Sequence, residues 1–164
     1  MSDDLDGGPF APDGERRALR ALVRDHAARE WDETSLRAAI APGARLDRER
    51  WRRLGSGLGV FGTDVPATWG GGGGGLPDTA IAAEELGAVL APVPYAGTVL
   101  AAWTLLASGD EEAMAEHLPA LCAGTSVYAV ACTDGRGAWL PPRPPVRAEG
   151  GALTGTAAHV GCMG

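Results

Sequence analysis

Six consecutive glycines at positions 70–75, between Trp69 and Leu76, offer the most conspicuous candidate chemistry in this sequence. Gly70, Gly72 and Gly75 satisfy the spacing GxGxxG, which lets backbone amides approach a dinucleotide pyrophosphate. That chemistry needs a strand before the run, a helix after it, and an acidic residue on a second parallel strand. Here helical periodicity precedes the run, Pro66 closes the short apolar piece before it, and six glycines meet the pattern by construction. A Walker-type loop is excluded because the chain contains no lysine. The run therefore reads as a flexible surface loop.

Other constellations are sparse. Glu84 and Glu85 are adjacent carboxylates on a helical pattern, where neighbours diverge by about 100° and cannot share one substrate. One is expected at solvent or a cap, the other in packing or an ion pair. Ser126 lies in GTSVY rather than in the GxSxG of a nucleophile elbow. Cys122, Cys132 and Cys162 are odd in number and lack CxxC spacing, so buried free thiols are expected rather than disulfides or zinc. His26, His117 and His159 are equally scattered.

The elements that would position these residues are mainly helical. Residues 15–30 carry Leu19, Leu22, Val23 and Ala27 at helical spacing, with Asp13 as N-cap. Residues 31–44 are less regular. Asp47 caps a second helix through Trp51 and Leu54, ended by Gly55, Gly57 and Gly59. A third helix is expected from Asp78 through Val89, a fourth over 95–107, and a fifth from Asp110 to Gly124. Pro119 is expected to kink that fifth helix or to split off its last turn. Beyond Gly124 the period changes: 126–133 reads as a strand, 146–148 and 152–154 as a hairpin, and 157–160 as the start of another strand. The β part looks interrupted, since complete domains cover their strand edges.

The chain has 164 residues, 45% apolar and 21% charged, with a formal net charge of −7. Such an acidic chain lacks the electrostatic footprint for nucleic acid. All fourteen cationic side chains are Arg, and eleven fall between Arg16 and Arg53, interleaved with acids. Alternating signs of this kind read as a solvated helix face. The N-terminal residues 1–13 are acidic and rich in Gly and Pro, unlike a signal peptide. No run approaches the roughly 18 apolar residues of a membrane span. A cytoplasmic protein is expected.

The order of segments resembles the acyl-CoA dehydrogenase family over nearly the whole length. Trp51, Leu54, Leu58 and Gly59 resemble its W-x-x-L-x-x-x-G. Pro66, Gly70-Gly71 and Glu84-Glu85-Leu86-Gly87 fall in register with its V-P-E-x-x-G-G and E-E-L-G. Residues 118–124 resemble its L-P-x-L-x-x-G, Ala131-Cys132-Thr133-Asp134 its T-E-P strand end, and Leu153-Thr154-Gly155-Thr156 its L-x-G-x-K. The resemblance implies a flexible N-terminus over 1–13, a helical N-terminal domain over 14–124, and over 125–164 the start of a β-barrel-like middle domain left incomplete. The fold class is thus mainly α with a short β part. In the family a C-terminal helical bundle carries the catalytic glutamate, so the resemblance places the base beyond Gly164 and assigns no catalytic residue here.

The resemblance further implies FAD as cofactor and α,β-dehydrogenation of an acyl-CoA thioester. Val130, Cys132 and Thr133 are the residues that match its flavin border, and Tyr95 and Thr98 match the region lining its acyl pocket. The Pro, Ser and final Asp of T-E-P-x-x-G-S-D are absent from 133–139, and Ala157 stands where the family has lysine. The chain is accordingly expected to be inactive alone and to act as a homo-oligomer or with a complementing subunit. The alternative is a non-enzymatic helical module that pairs with a second chain carrying the remaining domain.

Overall fold

The structure is a computed structural model and describes residues 14–139 and 141–161. The expected cap Asp13, the segment 1–13 and Cys162 lie outside the described residues. Six α-helices are present: α1 (Gly14–Glu30), α2 (Glu33–Ala39), α3 (Arg48–Arg52), α4 (Leu76–Ala88), α5 (Tyr95–Ser108) and α6 (Glu111–Cys122). They are followed by one antiparallel hairpin, β1 (Val146–Glu149) and β2 (Ala152–Gly155), in which Val146 pairs with Gly155 and Glu149 with Ala152.

Several helix starts follow directly from residue type. Asp47 accepts from the amides of Glu49 and Arg50, and Asp110 accepts from Ala113, each satisfying donors that a helix start leaves open. Asp32 likewise accepts from Ser35, so the segment expected to be irregular contains the two-turn α2. The expected start of α4 is corrected. Asp78 is its third residue, not its cap, and reaches back to the Gly75 amide at 2.8 Å, while Pro77 occupies the first turn where its missing N–H costs nothing. Pro119 lies inside a continuous α6 and does not split it; the Ala123 amide donates to its carbonyl at 3.0 Å. After α3 the helix widens into a π-turn (Arg53–Gly57), and the apolar piece before Pro66 is a 3₁₀ turn (Val60–Gly62) rather than a strand.

The core lies among these helices. Trp51 and Phe61 stack with ring centroids 4.0 Å apart, and Tyr95 tilts against Phe61 at 6.2 Å. Val23, Leu54, Val60, Leu118 and Leu121 close around them, fully buried. Gly55 is needed here, because a Cβ on it would lie 2.5 Å from the Gly124 amide nitrogen where the π-turn meets the end of α6.

The arginine run is not only a solvated face. Arg24 clasps Glu85 with two hydrogen bonds of 2.8 and 2.9 Å, and Arg20 adds a third of 2.7 Å, pinning α1 to α4. Arg53 clasps Glu30 in the same way, at 3.0 and 2.7 Å, tying the end of α1 to the π-turn. Glu84 and Glu85 divide as their spacing predicts. The Glu84 side chain is 64% exposed and pairs with Arg20, whereas that of Glu85 is only 4% exposed.

The β half is thinner than the pattern suggests. The expected strand over 126–133 gains no ladder. Only Thr133 pairs, through isolated bridges to Trp139 and Ala158, and the expected strand over 157–160 reduces to that bridge at Ala158. A strand is held by its neighbours' main chains, and these come no closer among the described residues.

Helix α4 ends on an uncommon residue. Leu90 takes a left-handed φ of 53°, with its amide donating to Gly87 and that of Ala91 donating to Leu86, both at 2.9 Å. This is the closure that glycine usually makes, and a leucine there costs about 1 kcal/mol.

Candidate functional site

The glycine run is tied down, not the flexible loop its composition suggests. Gly70 and Gly71 donate to Ala67 and Pro66, Gly72 to Gly62, Gly73 to Val65, and Gly74 to Thr63. Gly75 donates to the Asp78 carboxylate. All six amides are therefore spent within the protein, and none is left to receive a phosphate. The loop borders a cleft of about 700 Å³ shared with Leu19, Leu58 and Cys122, and the carboxylates of Glu15 and Asp78 also face it. An acidic, acceptor-rich wall is the wrong chemistry for a dinucleotide. Burial pushes the Cys122 thiol above its ordinary value, which makes it a poor nucleophile.

The residues matched to the flavin border sit together where the helical core meets the β half. Val130 packs against that core, Cys132 is half-buried, and Thr133 is buried. The Thr133 hydroxyl donates to the Ala158 carbonyl, and the Ala158 amide returns a bond to the Thr133 carbonyl at 3.1 Å. That side chain is thus already engaged. Among the described residues no main-chain to main-chain bond reaches residues 127–132. Their amides and carbonyls are the groups this stretch offers to a planar, hydrogen-bonding ring such as a flavin. To that extent the stretch fits the cofactor, through its main chain.

Tyr95 and Thr98 open α5 and are both buried. The Tyr95 hydroxyl faces the carbonyls of Thr79 at 3.1 Å and Val60 at 3.3 Å, and burial raises its pKa far above the usual phenol value. Thr98 donates to the Tyr128 carbonyl at 3.1 Å, fastening the 127–132 stretch to α5. Both hydroxyls serve the fold. The Tyr95 ring also walls an open cleft of about 420 Å³ at the α4–α5 joint, with Ala83, Leu86, Leu90, Val93 and Ala96. Tyr95 and Leu90 are thus brought together, while Thr98 belongs with Val130 and Thr133. Leu90 had no signal in the sequence, since nothing in its residue type announces a left-handed cap.

No metal-binding group of three or more His, Cys, Asp or Glu exists among the described residues, and no described helix is long and apolar enough to cross a membrane.

Two curated relatives are each described as acyl-CoA dehydrogenase IpdE2. The one from Mycobacterium tuberculosis is 37% identical over 121 residues, covering 74% of this chain and 37% of the relative. The one from Mycolicibacterium smegmatis is 37% identical over 113 residues, covering 69% and 35%. Among solved structures, a variant of the Tcur3481-Tcur3483 steroid ACAD superposes with a TM-score of 0.76 at 31% identity, over 89% of this chain and 41% of that one. The ChsE4-ChsE5 complex from Mycobacterium tuberculosis superposes with a TM-score of 0.75 at 26% identity, over 93% and 42%. The chain thus spans little more than a third of the curated relatives it matches. The family described as acyl-CoA dehydrogenase, N-terminal domain, matches residues 13–125, well over half of the sequence, and the chain belongs to the acyl-CoA dehydrogenase family.

Proposed function

We propose that this chain is the helical front of a FAD-dependent acyl-CoA dehydrogenase, and that it oxidises an acyl-CoA thioester only once the remaining domains are joined to it. The observation that carries this reading is the contrast between its two halves. The helical part is closed by its own ion pairs and core, whereas the 127–132 stretch leaves its main chain without main-chain partners beside Val130, Cys132 and Thr133. In the dehydrogenation a bound flavin supplies the hydride acceptor. This chain's part is to hold that stretch in place, through the Thr98 hydroxyl on the Tyr128 carbonyl and the Trp51 indole on the Ser126 carbonyl. The apolar cleft walled by Tyr95 supports an acyl chain at the α4–α5 joint.

The missing domains are proposed to come from a complementing subunit, a reading supported by the similarity to a structure described as a complex of two proteins. The test is to purify the chain alone and together with a polypeptide matching the rest of its relatives' length. Visible flavin absorption and acyl-CoA-dependent reduction of an electron acceptor should appear only in the mixture. A yellow, active chain alone overturns the need for a partner. A tight but colourless and inactive complex favours the non-enzymatic module.

A further inference from the structure

Leu90 holds the left-handed conformation that closes α4, yet its side chain is 77% exposed. Packing within the chain therefore does little to offset the strained backbone, and glycine would close the helix more easily. The side chain stands instead at the open cleft of about 420 Å³ beside Ala83, Leu86, Val93, Tyr95 and Ala96. The one polar side-chain group there, the Tyr95 hydroxyl, is turned away onto the Thr79 and Val60 carbonyls. Every side chain that wall presents to the cleft is then hydrocarbon, and the volume lies within the range of small-molecule sites.

We infer that Leu90 is a specificity-determining contact, kept in a strained position to wall the cleft against the aliphatic tail of an acyl group. This rests on the dehydrogenase reading for the identity of the ligand, but the contact itself is testable without turnover. A wall without hydrogen-bonding groups discriminates by length and bulk, so loss of the leucine should weaken every long aliphatic ligand and leave the polar end of the ligand unaffected.

The experiment titrates decanoate, decanoyl-CoA and CoA into the full chain, following the quench of its tryptophan fluorescence, for wild type, L90G and L90M. Both aliphatic ligands should bind about tenfold more weakly to L90G, while L90M stays within about twofold of wild type. CoA should be indifferent to position 90. The melting temperature of L90G should rise by about 3 °C, showing that weaker binding does not come from unfolding. Decanoate that fails to bind wild type, or binds L90G equally well, overturns the inference and leaves a protein surface as the cover of this cleft. If decanoate binding depends on Leu90 while the mixture of chains binds no flavin, the contact stands and the dehydrogenase reading fails.

Discussion

Arg24 and Glu85 face each other across the seam between α1 and α4 as a two-pronged clasp, Nε to Oε2 at 2.8 Å and Nη2 to Oε1 at 2.9 Å. The pairing is asymmetric, since the carboxylate is 4% exposed and the guanidinium 61%. Removing Glu85 leaves two arginines able to turn to water. Removing the arginines strands a charge in the interior, which is the costlier error. Glu85→Ala should therefore lower stability by about 2–3 kcal/mol, measured by urea unfolding. The double variant R20A/R24A should be worse than E85A; equal losses would mean that the carboxylate reaches water once released.

Acid should weaken the fold in two stages. The Glu85 and Glu30 carboxyls are held below the ordinary 4.5, chiefly by their hydrogen bonds from Arg24 and Arg53. Their contribution is present above the unfolded value and is lost as pH falls through the folded ones. His26 acts earlier. Burial lowers its pKa below 6.5, and its Nε2 is buried with no hydrogen-bond partner. The unfolded chain takes up a proton below about 6.5 that the folded chain resists, so stability begins to fall there. Melting temperatures recorded against pH should show both stages, and His26→Gln should erase the first alone.

The glycine run should tolerate substitution unequally. A Cβ on Gly71 would lie 2.1 Å from the Val65 carbonyl oxygen and 2.5 Å from its Cβ, so Gly71→Ala must move backbone. A loss of about 3 kcal/mol is expected. Gly73 has a φ of +67° but nothing within 4 Å of the added carbon, so Gly73→Ala meets only the conformational penalty of about 1 kcal/mol. Chemical denaturation of the two variants separates them, and equal losses would mean that the run is held by something other than its fit against Val65.

The helical half was legible because its signals are local. Asp47 and Asp110 cap where their type says, and the spacing of Val23 and Ala27 marks the buried stripe of α1. Asp78 misled because a good cap residue also serves three positions into a helix. The glycines misled because composition describes what a backbone can do, while its fate depends on acceptors as distant as Gly62. Arg20 and Arg24 looked solvated for the same reason: their partner Glu85 is sixty residues and more away. Val130, Cys132 and Thr133 were placed by resemblance alone, and no local pattern reveals that Thr133 spends its hydroxyl on Ala158.

The contrast between the two halves should be visible in amide hydrogen exchange. Both strands of the hairpin are exposed along nearly their whole length, and a two-stranded hairpin alone is marginal in water. Amides paired between β1 and β2 should open independently of the helices, whereas those around Leu54, Leu118 and Leu121 exchange only through large-scale opening. The hairpin should thus exchange at least about a hundredfold faster than the core of α6. Joining the remaining domains should slow exchange over 127–132 and in the hairpin, because both would gain ladder partners, and should leave α6 unchanged. Uniform protection across the chain by itself would mean that the β half already has a core of its own, and the need for a partner would fall with it.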